Sequence, residues 1–401
     1  MRFRSIIVGV ALVLAATPAA QVQAAPGDLN CDGAKNGLDV GPFVLAVLDP
    51  SAYQEAYPNC PWSNADLDCD GDVDADDIGY FVDCLLSGNC SHCPQANMVL
   101  ISAGEFQMGD AFAEGSFSEL PVHTVYVDAF YMDPFEVTNA QYADALNWAR
   151  AQGNLITVTG GVVYKSNTGT SYPYCDTTWK SLFSRITWDG TTFGAASGKE
   201  NDPVVQVTWY GSAAYANWRS GMEGRPLCYD LSSWTCNFGS GYRLPTEAEW
   251  EKPARGGAAG HRFPWSDTDT IDEFRANYQC TCAGGVPLYN YDAGPTCGFN
   301  PNFSTGPTPY TSPVGYFFPN DLGLYDMAGN VMEWCNDWYD GAYYSSSPSG
   351  NPHGPASGDM RVLRGGSWAL DANHCRSAYR SFNTAGYRFS GGGFRCTLAA
   401  P

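Results

Sequence analysis

The sequence predicts an α+β protein in which a small helical module precedes a large, loop-rich domain. Its 401 residues include 44 glycines, 26 prolines and 14% aromatic residues, whereas only 16% of the chain is charged. This apolar content is sufficient for a hydrophobic core and excludes a wholly disordered chain. Apolar and polar residues alternate over residues 98–109 and 122–132, which indicates short antiparallel strands rather than a helix bundle.

The chain is strongly acidic. Aspartate and glutamate number 42 against 21 lysines and arginines, which gives a formal net charge of −21. This charge repels phosphate backbones and anionic membrane surfaces, so we expect no nucleic-acid partner. The excess of carboxylates instead favours divalent cations.

The first 24 residues have the layout of a secretory signal peptide. Arg2 and Arg4 precede an apolar run over Ile6–Ala16, and a cleavage site of small residues ends at Ala24. A membrane anchor is the alternative, but the run is shorter than the about 20 residues that a spanning helix needs. We therefore expect an exported protein, secreted or at the cell surface, without a transmembrane segment.

All 15 cysteines follow the predicted signal peptide, six of them within residues 27–93. In an exported protein this usage predicts disulfides rather than zinc or redox catalysis. The nine later cysteines cannot all pair with one another, so at least one is free or pairs elsewhere. Cys228 and Cys236 flank a short insertion and are close enough for a local disulfide, whereas Cys280 and Cys282 are too close for a relaxed one.

Two copies of one loop start at residues 28 and 66. Each has side-chain oxygens at loop positions 1, 3, 5, 9 and 12, with glycine at position 6. Calcium prefers about six to eight oxygen ligands, and the glycine permits the sharp turn around the ion. A solvated acidic linker is the alternative. The predicted ligands, with position 7 acting through its carbonyl oxygen, are Asp28, Asn30, Asp32, Ala34, Asn36, Asp39, Asp66, Asp68, Asp70, Asp72, Asp74 and Asp77.

An apolar stretch at helical spacing follows each loop, over residues 40–48 and 78–86. With aspartate at position 12 of each loop, residues 27–93 resemble a type I dockerin module. The resemblance implies a calcium-folded module that docks onto a cohesin-bearing partner, usually in polysaccharide-degrading assemblies. The sequence departs from that family in carrying Cys31 and Cys69 at position 4 and in lacking a Ser-Thr pair at positions 10 and 11.

The large domain begins near Asn97, where acidic residues become fewer and Trp, Tyr, Gly and Arg increase. Thr138 is placed to cap one helix, a second helix is predicted over 210–220, and Thr246 is placed to cap a third. These features accompany a series of motifs in a fixed order. The motifs are Asn201-Asp-Pro203-Val-Val-Gln-Val-Thr-Trp209, Gly241-Tyr-Arg243-Leu-Pro245-Thr246-Glu247-Ala-Glu249-Trp250-Glu251, Phe263-Pro-Trp265, Gly323-Leu-Tyr-Asp326-Met-Ala-Gly329-Asn330-Val331-Met-Glu333-Trp334, Arg364-Gly-Gly-Ser-Trp368, Arg376-Ser-Ala-Tyr-Arg380 and Gly393-Phe-Arg395.

Through these motifs, residues 97–396 resemble the formylglycine-generating enzyme, or sulfatase-modifying factor, family. The resemblance implies an α+β domain over residues 97–399, poor in regular structure and related to the C-type lectin architecture. The family oxidises a cysteine of sulfatases to formylglycine with molecular oxygen and copper(I), which two cysteines hold. Sulfur ligands select copper(I). In this sequence Leu370 and Cys375 stand at the positions of the family's two copper-binding cysteines. The first thiolate is therefore missing, and a single cysteine does not hold copper(I) as a pair does.

The resemblance makes Cys375 and Ser367 the candidate catalytic residues. Aligning residues 376–380 to the family's arginine motif requires a short deletion, which moves Cys375 off the catalytic position. A structural disulfide between Cys375 and Cys396 is then the alternative. Met332 stands in place of a tryptophan that lines the enzyme's site. Asp371 and His374 also suggest a metal or nucleophilic site, but without an oriented base we expect a loop role.

A family calcium site is implied in the large domain by Asp326, Gly329, Val331 and Glu333, through two side-chain oxygens and two carbonyls. The alternative is that Asp326 and Glu333 only neutralise nearby arginines. A second family site would use the side chain of Asn277 and the carbonyl of Tyr278, but no acidic residue stands at its third position, near Gly306.

Three functions remain open on the sequence. The first is an exported, calcium-binding protein whose large domain is a non-catalytic binding or accessory module for a protein or glycan. The second is an oxidase with an altered cysteine set, or another reaction in the same cleft. The third is a lectin-like adhesion protein linked to polysaccharide degradation, tethered by the dockerin-like module. A shared fold alone does not decide between them.

Overall fold

The computed structural model describes most of the chain after the predicted signal peptide, which lies outside the described residues. The chain divides into two compact units, Met1–Cys93 and Pro94–Pro401. Five residues of the second predicted calcium loop also lie outside the described residues, namely Asp66, Asp68, Asp70, Asp72 and Asp74. The described residues are 27–58, 60, 62–65, 67, 73, 77–87, 98–153, 155–256 and 260–400.

The described part of the N-terminal unit contains three helices, α1 (Val40–Leu48), α2 (Pro50–Ala56) and α3 (Asp77–Ser87). Helices α1 and α3 confirm the helices predicted after the two loops. Short 3-10 turns occupy Gly37–Asp39 and Trp62–Asn64.

A small core joins the helices of this unit. Phe43 of α1 stacks on Phe81 of α3 with ring centroids 4.1 Å apart, and the buried Tyr53 of α2 belongs to the same cluster. A disulfide between Cys31 and Cys60 ties the first loop to the segment after α2. The unit is therefore held by apolar packing and a cross-link as well as by its loops.

In its described residues, the C-terminal unit combines three helices with many short strands, as the predicted α+β class requires. Its helices are α4 (Asn139–Ala151), α5 (Trp209–Met222) and α6 (Glu247–Ala254). Its strands are β1 (Val99–Ile101), β2 (Gly104–Met108), β3 (His123–Val127), β4 (Phe130–Met132), β5 (Ile156–Thr159), β6 (Val162–Lys165), β7 (Pro173–Asp176), β8 (Ile186–Trp188), β9 (Phe193–Ala195), β10 (Tyr229–Asp230), β11 (Thr235–Cys236), β12 (Gln279–Cys280), β13 (Cys282–Ala283), β14 (Val286–Pro287), β15 (Gly298–Phe299), β16 (Met332–Trp338), β17 (Arg361–Arg364), β18 (Ser381–Asn383), β19 (Gly392–Gly393) and β20 (Thr397–Ala399).

Among the described residues of this unit, the strands form one four-stranded sheet, two three-stranded sheets and several two-stranded ones. A four-stranded sheet has the order β18-β17-β16-β19, in which β16 is antiparallel to β17 and parallel to β19. A three-stranded antiparallel sheet has the order β1-β4-β20, so the first and last strands of the unit flank the same partner. The predicted antiparallel strands near the start of the unit are confirmed by the β1–β4 and β2–β3 pairings.

The three helices begin at threonine caps. The side chain of Thr138 accepts a hydrogen bond from Gln141 N–H and that of Thr246 accepts one from Glu249 N–H, which confirms both predicted caps. Thr208 caps α5 in the same way. Helices α4 and α5 lie in the main core, where Tyr142 and Trp209 are completely buried. No helix of the described segments is long and apolar enough to cross a membrane.

Candidate functional site

The Gly365-Gly366 pair turns the chain sharply at the end of β17. Gly366 has φ +74°, and a Cβ there would lie 2.7 Å from the Cys375 Sγ and 3.0 Å from the His374 carbonyl oxygen. The turn therefore packs directly on the 3-10 helix Ala372–Cys375, and only glycine fits at this approach. This contact fixes where Cys375 lies.

Cys375 is completely buried and not disulfide-bonded. It belongs to an apolar cluster with Tyr278, Ala328 and Ala372. Burial raises the pKa of the Cys375 thiol, and the charge of Asp371 adds to this effect. The side chain is thus a neutral core thiol, whereas nucleophilic and metal-binding cysteines need thiolate character.

Leu370 and Ser367 complete the loop after the glycine pair. Leu370 is half-buried against the main core, and its carbonyl accepts a hydrogen bond of 2.9 Å from Gln279 N–H. Ser367 is only 2% exposed, and a Cβ on Gly391 would lie 2.9 Å from its Oγ. The first copper position is therefore apolar, and the retained serine is enclosed by backbone.

The disulfide expected as an alternative for Cys375 and Cys396 is not present. Both cysteines are unpaired and buried, and they lie in different clusters. Cys396 packs in the main core, while Cys375 packs with the cluster around Tyr278. A bond requires Cα atoms within about 7 Å, which side chains seated in separate cores do not provide.

The predicted local disulfide between Cys228 and Cys236 is also not formed, although the two thiols lie within hydrogen-bonding distance of each other. The hydrogen bond with the Cys236 thiol lowers the pKa of Cys228 to about 7. Cys282 does form a disulfide, with Cys297.

His374 has an orienting partner that was not predicted from the sequence. Its Nδ1 lies 2.6 Å from Asp371 Oδ1, and the Tyr289 hydroxyl lies 3.3 Å from Asp371 Oδ2. Burial opposes ionisation of Asp371, but its bonds with His374 and Tyr289 outweigh burial and lower its pKa. The three-residue spacing at the start of a 3-10 helix is the sequence signal for this contact, because it places the two side chains on one face.

Glu333, a predicted calcium ligand, is engaged by other side chains. Arg395 donates to both of its carboxylate oxygens at 2.7 Å, and Trp250 Nε1 donates at 2.9 Å. In the structure this carboxylate pairs with an arginine, as the alternative prediction stated. Of the two predicted backbone ligands, Gly329 forms an isolated β-bridge and has φ +83°, and Val331 immediately precedes β16.

Asp326 is not neutralised in the same way. Its Oδ2 accepts a hydrogen bond of 2.7 Å from Gly315 N–H, while its Oδ1 is buried without a hydrogen-bond partner among the described residues. Burial raises the pKa of Asp326 to about 6. One carboxylate oxygen at this position is thus available to a ligand.

Glu136 lies near Asp326 and was not predicted from the sequence. It is 1% exposed, its Oε2 accepts a bond of 3.1 Å from Asn330, and its Oε1 has no partner among the described residues. Burial and the charges of Asp326 and Glu333 raise its pKa well above the ordinary value. In the sequence, Glu136 stands two residues before the helix cap Thr138, a position that indicates the start of a helix but not a ligand. Within the described chain, no three His, Cys, Asp or Glu side chains converge closely enough to hold a metal ion.

Asn277 and Tyr278, predicted for the second calcium site, form internal bonds through atoms other than the predicted ligands, which are the Asn277 side-chain oxygen and the Tyr278 carbonyl. Asn277 Nδ2 donates to the Tyr310 carbonyl at 2.8 Å, and its own carbonyl accepts from Asn330 N–H at 2.7 Å. The Tyr278 hydroxyl bonds with Asp292. Asn277 also bridges to Gly329, so the structure brings together the two segments predicted to bind calcium.

The first N-terminal loop curls around its own carboxylates. Asp28 accepts bonds from the N–H groups of Asp32 and Gly33, at 3.2 and 3.0 Å. Asp39 accepts from Leu29 N–H at 2.8 Å, and Asp77 of the second loop accepts from Leu67 N–H at 2.6 Å. The remaining first-loop ligands, Asn30, Asp32, Ala34 and Asn36, lie between these positions. The two loops thus repeat one backbone contact.

Known proteins resemble most of this chain. A family model described as a sulfatase-modifying factor enzyme 1-like domain matches residues 85–400. A formylglycine-generating enzyme of Streptomyces coelicolor is 35% identical over 322 residues, which cover 74% of this chain and 88% of that protein. An inactive C-alpha-formylglycine-generating enzyme 2 of Bos taurus is 32% identical over 321 residues, covering 76% and 88%.

Among solved structures, PvdO from Pseudomonas aeruginosa is similar with a TM-score of 0.49 and 26% identity, covering 77% of this chain and 96% of that chain. Because the family model matches more than half of the chain and the S. coelicolor relative is 35% identical over most of its own length, the chain belongs to the sulfatase-modifying factor enzyme 1-like family.

Proposed function

We propose that this protein is an exported, calcium-stabilised binding or accessory protein whose large domain does not carry out the family's copper-dependent oxidation. The observation that carries the proposal is the state of the two copper positions. Leu370 offers no ligand, and Cys375 is a neutral thiol with no exposed surface. Copper(I) binding by paired thiolates requires both.

Family membership alone is compatible with either function. One relative at 35% identity is named a formylglycine-generating enzyme, and another at 32% is named inactive. Since a fold hosts several functions, the decision depends on the site residues. Here those residues favour binding over oxidation.

Calcium is proposed at two places. In the N-terminal unit, Asp28, Asp39 and Asp77 are arranged by the repeated loop. In the large domain, Asp326 and Glu136 each keep a buried carboxylate oxygen without a partner, and these hard anionic donors suit calcium. Bound calcium would supply the positive charge that offsets the two buried carboxylates. Glu333 would bind this calcium ion only if it gave up part of its contact with Arg395.

The tether and the partners are proposals from the sequence. The dockerin-like loop–helix repeat supports docking to a cohesin-bearing protein, and the signal-like first 24 residues support export to the medium or the cell surface. A relation to the C-type lectin architecture, which the family resemblance implies, is the reason to propose a protein or glycan ligand for the large domain. A cohesin pull-down with the full chain, with and without chelator, tests the docking.

Copper(I) competition tests the proposed loss of oxidase function. The reduced protein competes with bathocuproine disulfonate for copper(I), beside the S. coelicolor relative as a positive reference, and oxidation of a cysteine peptide is followed by mass spectrometry. We expect neither tight binding nor peptide oxidation. A Leu370→Cys variant should still bind copper(I) weakly, because Cys375 remains buried. Nanomolar affinity in the wild type, or formylglycine in the peptide, would contradict the proposal.

A second candidate is a different reaction in the same cleft. The observation that favours it is the Asp371–His374 contact, since a carboxylate on Nδ1 leaves Nε2 as a proton acceptor. A reaction that uses this base would be lost in a His374→Ala variant while the fold and calcium binding are retained. If the domain is instead a binding module, protonation of the His374 imidazole should not change its affinity for the ligand.

A further inference from the structure

A half-open cavity lies between the turn after β3, the loop before α6 and the end of β20. It has a volume of about 270 Å³, and its lining includes Asp128, Phe238, Arg243, Glu249 and His353. It shares no lining residue with the copper positions or with the candidate calcium residues. It is therefore a separate candidate site, independent of the proposal for the copper positions.

The base of the cavity carries one unused hydrogen-bond donor. Arg243 is 4% exposed and forms a two-point ion pair with Glu249, with nitrogen–oxygen distances of 2.5 and 2.7 Å. A further bond of 3.0 Å joins it to Thr397 Oγ1. Its Nε–H, however, is buried and has no acceptor among the described residues. Buried donors are almost always satisfied, so this one calls for an acceptor from a ligand or water.

The rim supplies acceptors and a flat apolar surface. Asn351 forms two hydrogen bonds with the exposed Asp128. The Asn351 Oδ1 accepts from the Asp128 backbone N–H at 2.8 Å, and the Asn351 Nδ2 donates to the Asp128 carboxylate at 2.7 Å. The His353 ring stacks on Phe238 with centroids 3.7 Å apart and an angle of 9° between the planes. His353 itself is exposed, so the outer face of its ring is available for stacking.

The charges at this cavity select against an anion. Arg243 is neutralised by Glu249, and Asp128 adds a negative charge at the rim, which the Lys252 ammonium outside the lining offsets in part. A ligand therefore has to accept a hydrogen bond from Arg243 without carrying negative charge, and donate to Asp128. Hydroxyl groups do both, and a pyranose ring also offers an apolar face to an aromatic ring.

We propose that this cavity binds a neutral, hydroxyl-rich ligand of monosaccharide size, with an acceptor oxygen at Arg243 Nε, a hydroxyl at Asp128 and a ring face on His353. No predicted calcium ligand lines the cavity. Binding is therefore independent of calcium, unlike recognition through a bound ion.

Ligand-observed NMR with the full chain tests this proposal. The probes are D-glucose, D-galactose, D-mannose and N-acetylglucosamine, with glucuronate as the charged counterpart of glucose. We expect saturable binding of at least one neutral sugar in chelator as well as in calcium. Glucuronate should bind several-fold more weakly than glucose, because Asp128 repels its carboxylate and the lining Arg243 is already paired with Glu249.

Two variants separate this cavity from the rest of the surface. Ala129→Leu fills the cavity and should abolish binding, and His353→Ala should weaken it about twofold to tenfold through the lost stacking. The matched control is Ala151→Leu, the same change at an exposed helix end, which should bind normally. Unchanged affinity in Ala129→Leu, equal affinity for glucuronate, or no binding of any neutral sugar would overturn the proposal.

Discussion

At residue 366, the absence of a side chain is what allows Cys375 to pack in the core. The close approach of Gly366 to the Cys375 Sγ places the thiol under the turn, where it is completely buried. Cys375 and Cys396 belong to different buried clusters. The chemical character of the loop after β17 therefore follows from one backbone contact.

Replacing Gly366 by alanine should strongly destabilise the large domain. The new methyl group meets Cys375 and the His374 carbonyl, and the positive φ adds strain of about 1–2 kcal/mol. With the clash included, we expect a loss of about 2–4 kcal/mol in urea unfolding. The control is Gly284→Ala, which has φ +62° but open space around it, and should lose only the strain. Equal losses in the two variants would show that the Cys375 contact is unimportant.

Asp337 makes stability depend on pH. It is 2% exposed, and burial together with the charge of Glu247 raises its pKa well above the ordinary value. The folded state then holds this proton more tightly than the unfolded state, so the contribution of Asp337 is greatest at low pH and is lost as pH rises above about 4.

An Asp337→Asn variant should therefore be more stable than the wild type at pH 8 and close to it at pH 4. The amide oxygen can still accept the bond that Glu247 N–H now donates at 3.0 Å. Urea unfolding at the two pH values measures the difference. A variant that is less stable at pH 8 would show that the negative charge of Asp337 contributes favourably.

Residue-level prediction succeeded where the cause is local. The caps at Thr138 and Thr246 follow from short-range hydrogen bonding, and the apolar residue at position 370 is visible in the motif spacing. Glu136 and the unpaired oxygen of Asp326 were beyond such reasoning, because their burial arises from segments far apart in the chain. The state of Cys375 needed the structure, since two alignments placed it differently.

Helix α6 connects the capped Thr246 turn to a buried ion-pair network. Glu251 is fully buried and bonds with Arg255 at 3.0 Å, with Arg364 at 2.5 Å and with Gly109 N–H at 2.8 Å. These contacts join β17 and the start of the domain to one helix of eight residues. So short a helix depends on tertiary contacts rather than on its own propensity.

Removing the two predicted caps should have unequal effects. Thr138→Ala should cost about 1 kcal/mol, because its cap is partly exposed and water replaces the lost bond. Thr246→Ala should cost about 2 kcal/mol, because Thr246 is 2% exposed and the Glu249 N–H would stay unsatisfied. Serine at either position should restore most of the loss in urea unfolding, whereas an alanine-like loss in both serine variants would rule out capping as the cause.

The elements themselves were predictable to different degrees. Residues 210–220 were predicted as a helix and Trp209–Met222 form one, since the apolar spacing and the cap agree. The two-residue strands such as β10 and β19 carry no pattern long enough to detect. The parallel pairing of β19 with β16 depends on the close packing of residues 391–393, all glycines, against neighbouring segments. Only tertiary packing determines these contacts.

At the scale of the whole molecule, the two compact units rely on different sources of stability. The large unit has an extensive apolar core and buried ion pairs. The N-terminal unit has a small core and loops whose carboxylates lie near one another. Small domains of this kind commonly need a metal or cross-links in addition to their core.

Calcium removal should therefore unfold the N-terminal unit before the large one. In calorimetry of the full chain, we expect chelation to shift or remove a low-temperature transition and to reduce helical circular dichroism, since metal binding is coupled to folding. Asp28→Ala should weaken calcium binding and reproduce part of this effect. An unchanged trace and spectrum after chelation would contradict a calcium-folded module.

The accessibility of the Cys375 thiol in the native protein tests the central claim most directly. Native protein is alkylated with N-ethylmaleimide, then unfolded and mapped by mass spectrometry, and the rate at Cys375 is compared with its rate in the urea-unfolded protein. We predict that Cys375 reacts only after unfolding and carries no disulfide. Native alkylation of Cys375 at a rate similar to that in the unfolded protein would show an accessible, reactive thiol and contradict the account.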